Sequence, residues 1–349
     1  MANCNEQFRD FNSKIKLSDE KREELLMARN NLRERMTGGY SITENKQSTL
    51  HKMEFQSQGS FVMDTIIAPL EDDYDIDDGV YFIGNLPKEK RPSEQNFHDW
   101  VIKSIDRGFD DIEKITDRNT CVRVEYKQGF HVDLPIYYAN NYQCPELADT
   151  KEKWLLSNPV EFIDWFEKQV ESGFKMVYLY ESTSYFEEYK KWLDDIRKND
   201  AQLRRIVRYL KAWGDFMDDE MPPGIIMTIL IADGNYVADE RDDIALKNTL
   251  NTIYNKLKDN FTCQRPTTPK GENLFKNYSE SRKNYFMSKL KKFTEDATLA
   301  VNNPNHKTSC YKWQKHLGAR FSCANVIDDI DGANTYQQPA IIGSTAKSA

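Results

Sequence analysis

The chain lacks the excess of basic residues that proteins built to hold duplex nucleic acid usually carry. Its 349 residues contain 48 Lys and Arg against 56 Asp and Glu, which gives a formal net charge of −8 at pH 7. Because nucleic-acid phosphates are bound through a positive field, this balance argues against a surface designed for duplex DNA. It leaves room for a basic cleft inside the fold.

Long hydrophobic runs and paired cysteines are also missing. The longest apolar run, residues 224–232, is too short to span a bilayer, and the first residues show no basic-then-apolar signal pattern. The six cysteines form no CxxC pair and have no histidine at zinc-finger spacing. We therefore expect a cytoplasmic protein that makes no membrane contact and whose cysteines are reduced thiols.

The composition indicates a globular protein that is long enough for two lobes. Hydrophobic residues make up 39% of the chain and aromatic residues 12%. Strand patterns prevail before residue 150, helical patterns follow, and the sequence after residue 323 is polar and aperiodic. We predict an α+β chain divided into residues 1–150, a mostly helical lobe at 151–322, and a mobile tail at 323–349.

Hydrophobic periodicity locates the main elements. Ser18 and the acids after it open a long amphipathic helix, which the Gly38-Gly39 pair is expected to end. Alternating residues predict strands at about 53–57, 74–83, 121–126 and 130–137, the last two as a hairpin. Helical spacing predicts helices at roughly 159–172, 184–215, 222–232, 240–260 and 278–302.

An acidic cluster at residues 71–79 carries the first sign of chemistry. One interpretation is a solvated loop. A calcium loop fits Asp73, Asp75 and Asp77, but it then requires glycine and glutamate where this chain has Asp78 and Gly84. The third interpretation is a metal site for phosphoryl transfer, which depends on the carboxylates that follow.

Three aspartates have the arrangement that a two-metal site requires. Asp75 and Asp77 share one face of a predicted strand, so both can bind Mg²⁺, with Mn²⁺ as a substitute. Asp133 lies on a neighbouring predicted strand between apolar residues and points away from the core that they build. His131, two residues earlier, is interpreted as a strand residue rather than a catalytic base. We predict Asp75, Asp77 and Asp133 as the catalytic metal ligands.

Gly59-Ser60 follows a predicted strand directly and is the candidate phosphate-binding turn. A strand, a Gly-Ser pair and a helical turn together present backbone N–H groups and a hydroxyl to phosphate oxygens. The pair alone is common in ordinary turns, and its value comes from its place before the acidic residues.

The order Gly59-Ser60, Asp75-Ile-Asp77 and Asp133 resembles the signature of polymerase-β-like nucleotidyltransferases. More narrowly, the chain resembles the bacterial cyclic GMP-AMP synthase group of CD-NTases. The likeness rests on five segments: QGSF at 58–61, YDIDDGVY at 74–81, GFHVDLPIY at 129–137, RYLKAW at 208–213 and GENL at 271–274. It spans roughly residues 15–320. The family implies a sheet lobe and a helical lobe that are joined by the long N-terminal helix.

This resemblance also implies an activity and partners. Family members join nucleoside triphosphates, here ATP, GTP or both, into a cyclic di- or trinucleotide for a downstream effector in anti-phage signalling. Gln58, Gly59 and Ser60 would bind nucleotide, and Lys211 matches a lysine that contacts donor phosphate. Arg204 and Arg208 on the same helix are interpreted as a solvated face. Some members end in an exposed tail that a ubiquitin-ligase-like partner conjugates, which makes Ala349 the candidate residue.

Two alternatives stay open at this point. A template-independent RNA or tRNA nucleotidyltransferase would use the same three aspartates, although its RNA substrate favours a broad basic surface. A nucleotide sensor of the same fold would bind without turnover, but such proteins commonly lose a metal ligand. The chain has no inserted Cys/His zinc thumb like that of the animal DNA-sensing relatives, so activation by duplex DNA is not expected.

Overall fold

The computed structural model describes residues 1–43, 51–71, 73–105, 111–140, 144–170, 186–217 and 220–328. Helices in these ranges are α1 (Asn5–Ile15), α2 (Asp19–Thr43), α3 (Gly59–Val62), α4 (Glu94–Ile105), α5 (Pro159–Val170), α6 (Phe186–Asn199), α7 (Gln202–Met217), α8 (Gly224–Ala232), α9 (Asp242–Asp259), α10 (Glu280–Asn302) and α11 (His306–Leu317). Strands are β1 (Lys52–Gln58), β2 (Asp75–Ile83), β3 (Ile112–Asp117), β4 (Cys121–Tyr126), β5 (His131–Ala139), β6 (Glu146–Asp149) and β7 (Lys153–Leu156). The α+β class is confirmed.

All the described strands belong to one mixed sheet. Its order is β1-β2-β5-β4-β3, and β6 pairs with β5 and then with β7. The β2–β5 pair is parallel, whereas the pairings β1–β2, β4–β5 and β3–β4 are antiparallel. The predicted hairpin is therefore β4–β5, and β2 lies beside its second strand.

One face of the sheet is buried under α2 and α4. Alternate residues of β2 and β5, among them Ile76, Val80 and Val132, join Leu25 and Trp100 in one hydrophobic cluster. Burial of apolar side chains at about 25 cal/mol per Å² holds these helices to the sheet. The opposite face of β2 and β5 stays outside this cluster and carries three of the four acidic residues of these strands.

A second cluster joins α1 to the helices that follow residue 159. Phe8 of α1 packs against Tyr209, Trp313 and Phe321, with ring centroids 4.8–5.1 Å apart. Helix α7 runs through the middle of this cluster, and Trp213 is fully buried in it. The first residues of the chain therefore pack against its second half, although the boundaries at 150 and 322 stay predictions.

The structure corrects two of the predicted boundaries. Helix α2 runs through Gly38-Gly39 instead of ending there. A Cβ at position 39 would lie 2.6 Å from the carbonyl oxygen of Ser104 on α4, so this glycine allows two helices to pack closely. The single helix expected at 184–215 is two helices, α6 and α7, and Asp200 between them has a left-handed φ of 40°.

The cysteine prediction is wrong for one pair. Cys310 on α11 and Cys323 form a disulfide that closes a loop with a sequence separation of 13. Cys4, Cys121, Cys144 and Cys263 are free thiols. No helix in the described part of the chain combines the length and apolar character that a membrane crossing needs. From residue 329 onward the predicted tail, with Ala349, lies outside the described residues.

Candidate active site

The parallel register of β2 and β5 brings the predicted metal ligands together. Asp75 pairs with His131 and Asp77 pairs with Asp133, so all four side chains point to the face opposite the buried cluster. The intervening Ile76 and Val132 are buried on the other face. The strand alternation seen in the sequence is thus what aligns the carboxylates.

The carboxylates of this face are crowded enough to disturb their ionisation. Partial burial raises the pKa of Asp75, His131 acts in the opposite direction, and the neighbouring Asp133 carboxylate raises the pKa further. The pKa of Asp77 is raised well above its usual value by burial and by repulsion from Asp75 and Asp133. A bound cation would remove this repulsion, as expected of a metal site.

Asp133 has a cationic partner that the sequence analysis did not identify. Arg123 lies directly opposite it in the β4–β5 register. Its Nε and Nη2 atoms donate to the two carboxylate oxygens, each at 2.7 Å. The sequence could have predicted this pair, because Arg123 and Asp133 lie five residues before and five residues after the middle of the hairpin turn at residues 127–129. The bidentate contact fixes the plane of the Asp133 carboxylate.

His131 is the fourth polar side chain at this place. Its Nδ1 lies 2.8 Å from a carboxylate oxygen of Asp73, and its buried Nε2 lies 3.7 Å from Asp75 Oδ2 without a hydrogen-bond partner in the described structure. Ligand atoms of Asp75, His131 and Asp133 all lie within 4.8 Å of one another. The sequence could have indicated this role, because His131 lies two residues before Asp133 and therefore on the same face of the strand. These three residues are a group able to hold a metal ion.

The Gly59-Ser60 pair begins α3 directly after β1, as predicted. Gly59 has a φ of 72°, and a Cβ there would lie 2.1 Å from Asp77 Oδ2. Both facts require glycine, because a side chain would strain the backbone and displace the carboxylate. Gln58 Nε2 donates to the hydroxyl of Tyr137 at 3.4 Å. The turn is therefore packed directly against one of the predicted metal ligands.

Helix α7 contributes Lys211 to the same place from the second half of the chain. Its Nζ donates to the carbonyl of Thr65 at 3.0 Å and to the Thr65 hydroxyl at 3.3 Å. Burial lowers the pKa of Lys211 to about 8, while attraction to Asp75 acts in the opposite direction. The interpretation of Arg204 and Arg208 as a solvated face is wrong, because both are fully buried in ion pairs.

Two cavities meet at these residues. The first, about 430 Å³, is lined by the predicted residues Gln58, Gly59, Ser60, Asp75, Asp77 and Lys211. The second, about 580 Å³, lies beyond Ser60, Asp75 and Lys211, which line both cavities, as does Gly224. Asp133 is not among the described residues that line either one.

The helical half supplies walls that the sequence analysis missed. In the first cavity these include Asn158, Thr228, Arg265 and Thr267. Their spacing in the sequence carries no common pattern, so only the fold brings them to one place.

Known proteins similar to this chain share both its sequence pattern and its fold. Residues 53–137 match the family model described as cyclic GMP-AMP synthase DncV-like, nucleotidyltransferase domain. A curated cyclic GMP-AMP synthase of Escherichia coli strain TW11681 is 24% identical over 315 residues, covering 81% of this chain and 71% of that protein.

Solved structures of DncV have the same fold at low sequence identity. Vibrio cholerae DncV cyclic AMP-GMP synthase, in complex with the linear intermediate 5′ pppA(3′,5′)pG, aligns with a TM-score of 0.66 and 20% identity, covering 92% of this chain and 98% of that one. Escherichia coli DncV with 3′-deoxy GTP aligns with a TM-score of 0.66 and 18% identity over 88% and 93% of the chains. The matched domain contains Gly59-Ser60 and all three aspartates, so residues 53–137 are similar to the nucleotidyltransferase domain of DncV-like cyclic GMP-AMP synthases.

Proposed function

We propose that this protein joins nucleoside triphosphates, ATP, GTP or both, into a cyclic di- or trinucleotide. The observation that carries the proposal is the meeting of two cavities at Ser60, Asp75 and Lys211. A reaction between two nucleotides needs two binding volumes that share one reaction centre. The solved DncV relatives support the assignment, since one contains a linear dinucleotide intermediate and another contains ATP and GTP.

The donor set fits a hard divalent cation. Carboxylate oxygens of Asp75 and Asp133 lie within 4.8 Å of one another and of a ring nitrogen of His131. Oxygen ligands suit Mg²⁺, and Mn²⁺ also accepts imidazole. We propose that Asp75, Asp77 and Asp133 hold two such ions. When bound, the ions would lower the pKa of the attacking hydroxyl and neutralise the triphosphate charge.

Other side chains bind the substrate and orient the metal ligands. Ser60 and Lys211 bind the donor phosphates, and Arg123 keeps the Asp133 carboxylate in one orientation. The reaction forms a bond between the ribose oxygen of one nucleotide and the α-phosphorus of another. It breaks the bond between the α- and β-phosphates and releases pyrophosphate and a proton. After two or three nucleotides have been joined, a final transfer within the linear product closes the ring and releases the last pyrophosphate.

Product analysis tests this function. The protein is incubated with all four labelled triphosphates and Mg²⁺, treated with phosphatase and examined by mass spectrometry. A phosphatase-resistant cyclic product is expected. Linear products, or labelled nucleotides added to RNA, would indicate the tailing enzyme. Nucleotide binding without any turnover would indicate a sensor.

The biological role is a further proposal. We propose that the cyclic product activates a downstream effector in anti-phage defence and that a ubiquitin-ligase-like partner conjugates the chain through Ala349, outside the described residues. Removing residues 330–349 should leave cyclic-nucleotide synthesis intact and abolish partner-dependent conjugates. Conjugates formed without these residues, or a collapse of synthesis, would contradict this role for the tail.

A further inference from the structure

Three basic side chains of α7 donate to three consecutive backbone carbonyls. Arg204 Nη1 lies 2.6 Å from the carbonyl oxygen of Met63, and Arg208 Nη1 donates to the carbonyl of Asp64. Lys211 Nζ lies 3.0 Å from the carbonyl of Thr65. Residues spaced four and then three apart lie on one face of a helix, which allows a single helix to bind a continuous stretch of backbone.

Residues 63–65 are in turn bonded to Ser60. The N–H of Thr65 donates to the carbonyl of Ser60 at 2.9 Å, and the N–H of Asp64 donates to that of Phe61 at 3.2 Å. This pair of bonds is a Schellman motif that ends α3. The position of residues 63–65 therefore determines the position of Ser60, which lines both cavities.

The motif is held in place at an energetic cost. Asp64 has a left-handed φ of 49° at the position where glycine is usual. Its buried carboxylate lies near Lys16, Arg22 and Arg208, which compensate its charge. External contacts are thus needed to keep this turn closed.

The two arginines that reach the turn are themselves rigidly anchored. Arg204 makes a bidentate pair with Glu167 of α5 at 2.8 and 2.6 Å. Arg208 donates to Asn12 of α1 at 2.9 Å and to Asp200. Both guanidinium groups are buried, so they cannot contact nucleotide from these positions. Lys211 is the member of the series that lines the cavities.

We propose that Arg204 and Arg208 are positioning residues for the triphosphate. They hold the carbonyls of Met63 and Asp64 and thereby orient Ser60 toward the phosphates, so that the helical half of the chain sets the geometry of the phosphate-binding turn. This inference rests on the proposed function, because it takes Ser60 to be a phosphate ligand. It assigns a role to two buried arginines that touch no substrate.

The test compares triphosphate with monophosphate binding in Arg204→Lys and Arg208→Lys. Lysine keeps the charge but loses the fork that spans two partners. Affinity for nonhydrolysable analogues of ATP and GTP, measured by calorimetry, is expected to fall about tenfold, the typical effect of one lost charge-assisted hydrogen bond. Affinity for AMP and GMP, which lack the outer phosphates, should change less than about twofold by the same reasoning.

A matched control is available on the same helix. Arg205 is also buried and makes a bidentate pair, at 2.8 Å to both oxygens of Asp242. It donates to none of the carbonyls of residues 63–65. Arg205→Lys should therefore cost stability of the fold without changing the ratio of triphosphate to monophosphate affinity.

If the two lysine variants do not fold, Glu167→Gln replaces them. This change leaves Arg204 in place and weakens only its anchor, so the same ratio should fall by a smaller factor. Hydrogen exchange of the amide of Thr65 should also be faster than in the wild type and in Arg205→Lys.

Three results would overturn the proposal. The first is a ratio of triphosphate to monophosphate affinity that does not change in folded Arg204→Lys and Arg208→Lys. The second is a loss of monophosphate affinity as large as the loss of triphosphate affinity. The third is the same loss of triphosphate affinity in Arg205→Lys. Failure of the proposed function looks different. A wild type that binds triphosphate in this arginine-dependent way but makes no cyclic product would leave the positioning role standing.

Discussion

Replacing Asp75 and Asp77 together by Asn should abolish product formation while the metal-free protein keeps or gains stability. The change keeps the side-chain volume and removes two negative charges from the site. Loss of a single electrostatic contact to a transition state typically costs about 10²–10³ in rate, and loss of the bound ion costs more. We therefore expect activity below detection.

The expected gain in stability follows from the crowding of the carboxylates. Asp75 and Asp133 have ligand atoms within 4.8 Å of each other. Two unit charges at that separation repel by about 3 kcal/mol at an effective dielectric constant of about 20. The Asp75 side chain is 41% exposed, and His131, Lys211 and Arg123 offset part of the repulsion. A net gain of about 1 kcal/mol remains after this screening, or a Tm rise of about 1–3 °C.

The pH dependence has a defined sign. The pKa of Asp77 in the folded protein lies above its ordinary value of 3.8. Ionising this group therefore costs stability as the pH rises from the ordinary value to the folded one. The stability advantage of the double variant should be full above the folded pKa of Asp77 and should narrow as the pH falls toward the ordinary value of 3.8.

Thermal unfolding with and without Mg²⁺, together with the product assay, measures both effects. The matched control is Asp194→Asn with Asp195→Asn, two exposed carboxylates of α6 that line neither cavity. It makes the same change in net charge and should affect neither activity nor stability. Turnover at the wild-type rate in the active-site variant would refute the metal assignment. A Tm several degrees lower without metal would refute the electrostatic reasoning.

Three further predictions concern single elements of the structure. Lys211→Ala should raise the KM for triphosphate more than it lowers kcat. Burial lowers the pKa of Lys211 to about 8, so at higher pH this side chain loses its charge and the wild-type KM should increase, whereas the KM of the variant should not change with pH. A variant KM equal to that of the wild type would refute the contact between Lys211 and the triphosphate. Gly59→Ala should reduce the rate at least about 10²-fold by displacing Asp77, and steady-state kinetics at the wild-type rate would contradict this. Replacing Cys310 and Cys323 by Ser should cost about 3 kcal/mol in urea unfolding, and a wild type indifferent to reductant would show that the disulfide does not form.

Four of the seven described strands were predictable because their signals are local. The alternation in β2 and the β4–β5 hairpin follow from residues close in sequence, and they placed Asp75, Asp77 and Asp133 on the observed face. Helix α1 was missed although Phe8, Phe11 and Ile15 have helical spacing, because the segment around them is polar.

What the sequence could not show depends on partners that lie far away in it. Arg204 and Arg208 have the pattern of a solvated stripe, yet Glu167, Asp64 and Asn12 bury them. The close contact at Gly39 likewise depends on a second helix. In both cases a polar or flexible residue type was interpreted by its usual role, and tertiary packing decided otherwise.

The place of α1 imposes an order on folding during synthesis. Phe8 packs against Phe321, so this helix leaves the ribosome long before the residues that bury it. At about 5–20 residues per second, it waits roughly 15–60 s for its partners. The sheet and its covering helices come from the first half of the chain and can form within that time. In a nascent chain, the sheet can therefore be folded while the aromatic side chains of α1 are still exposed to solvent.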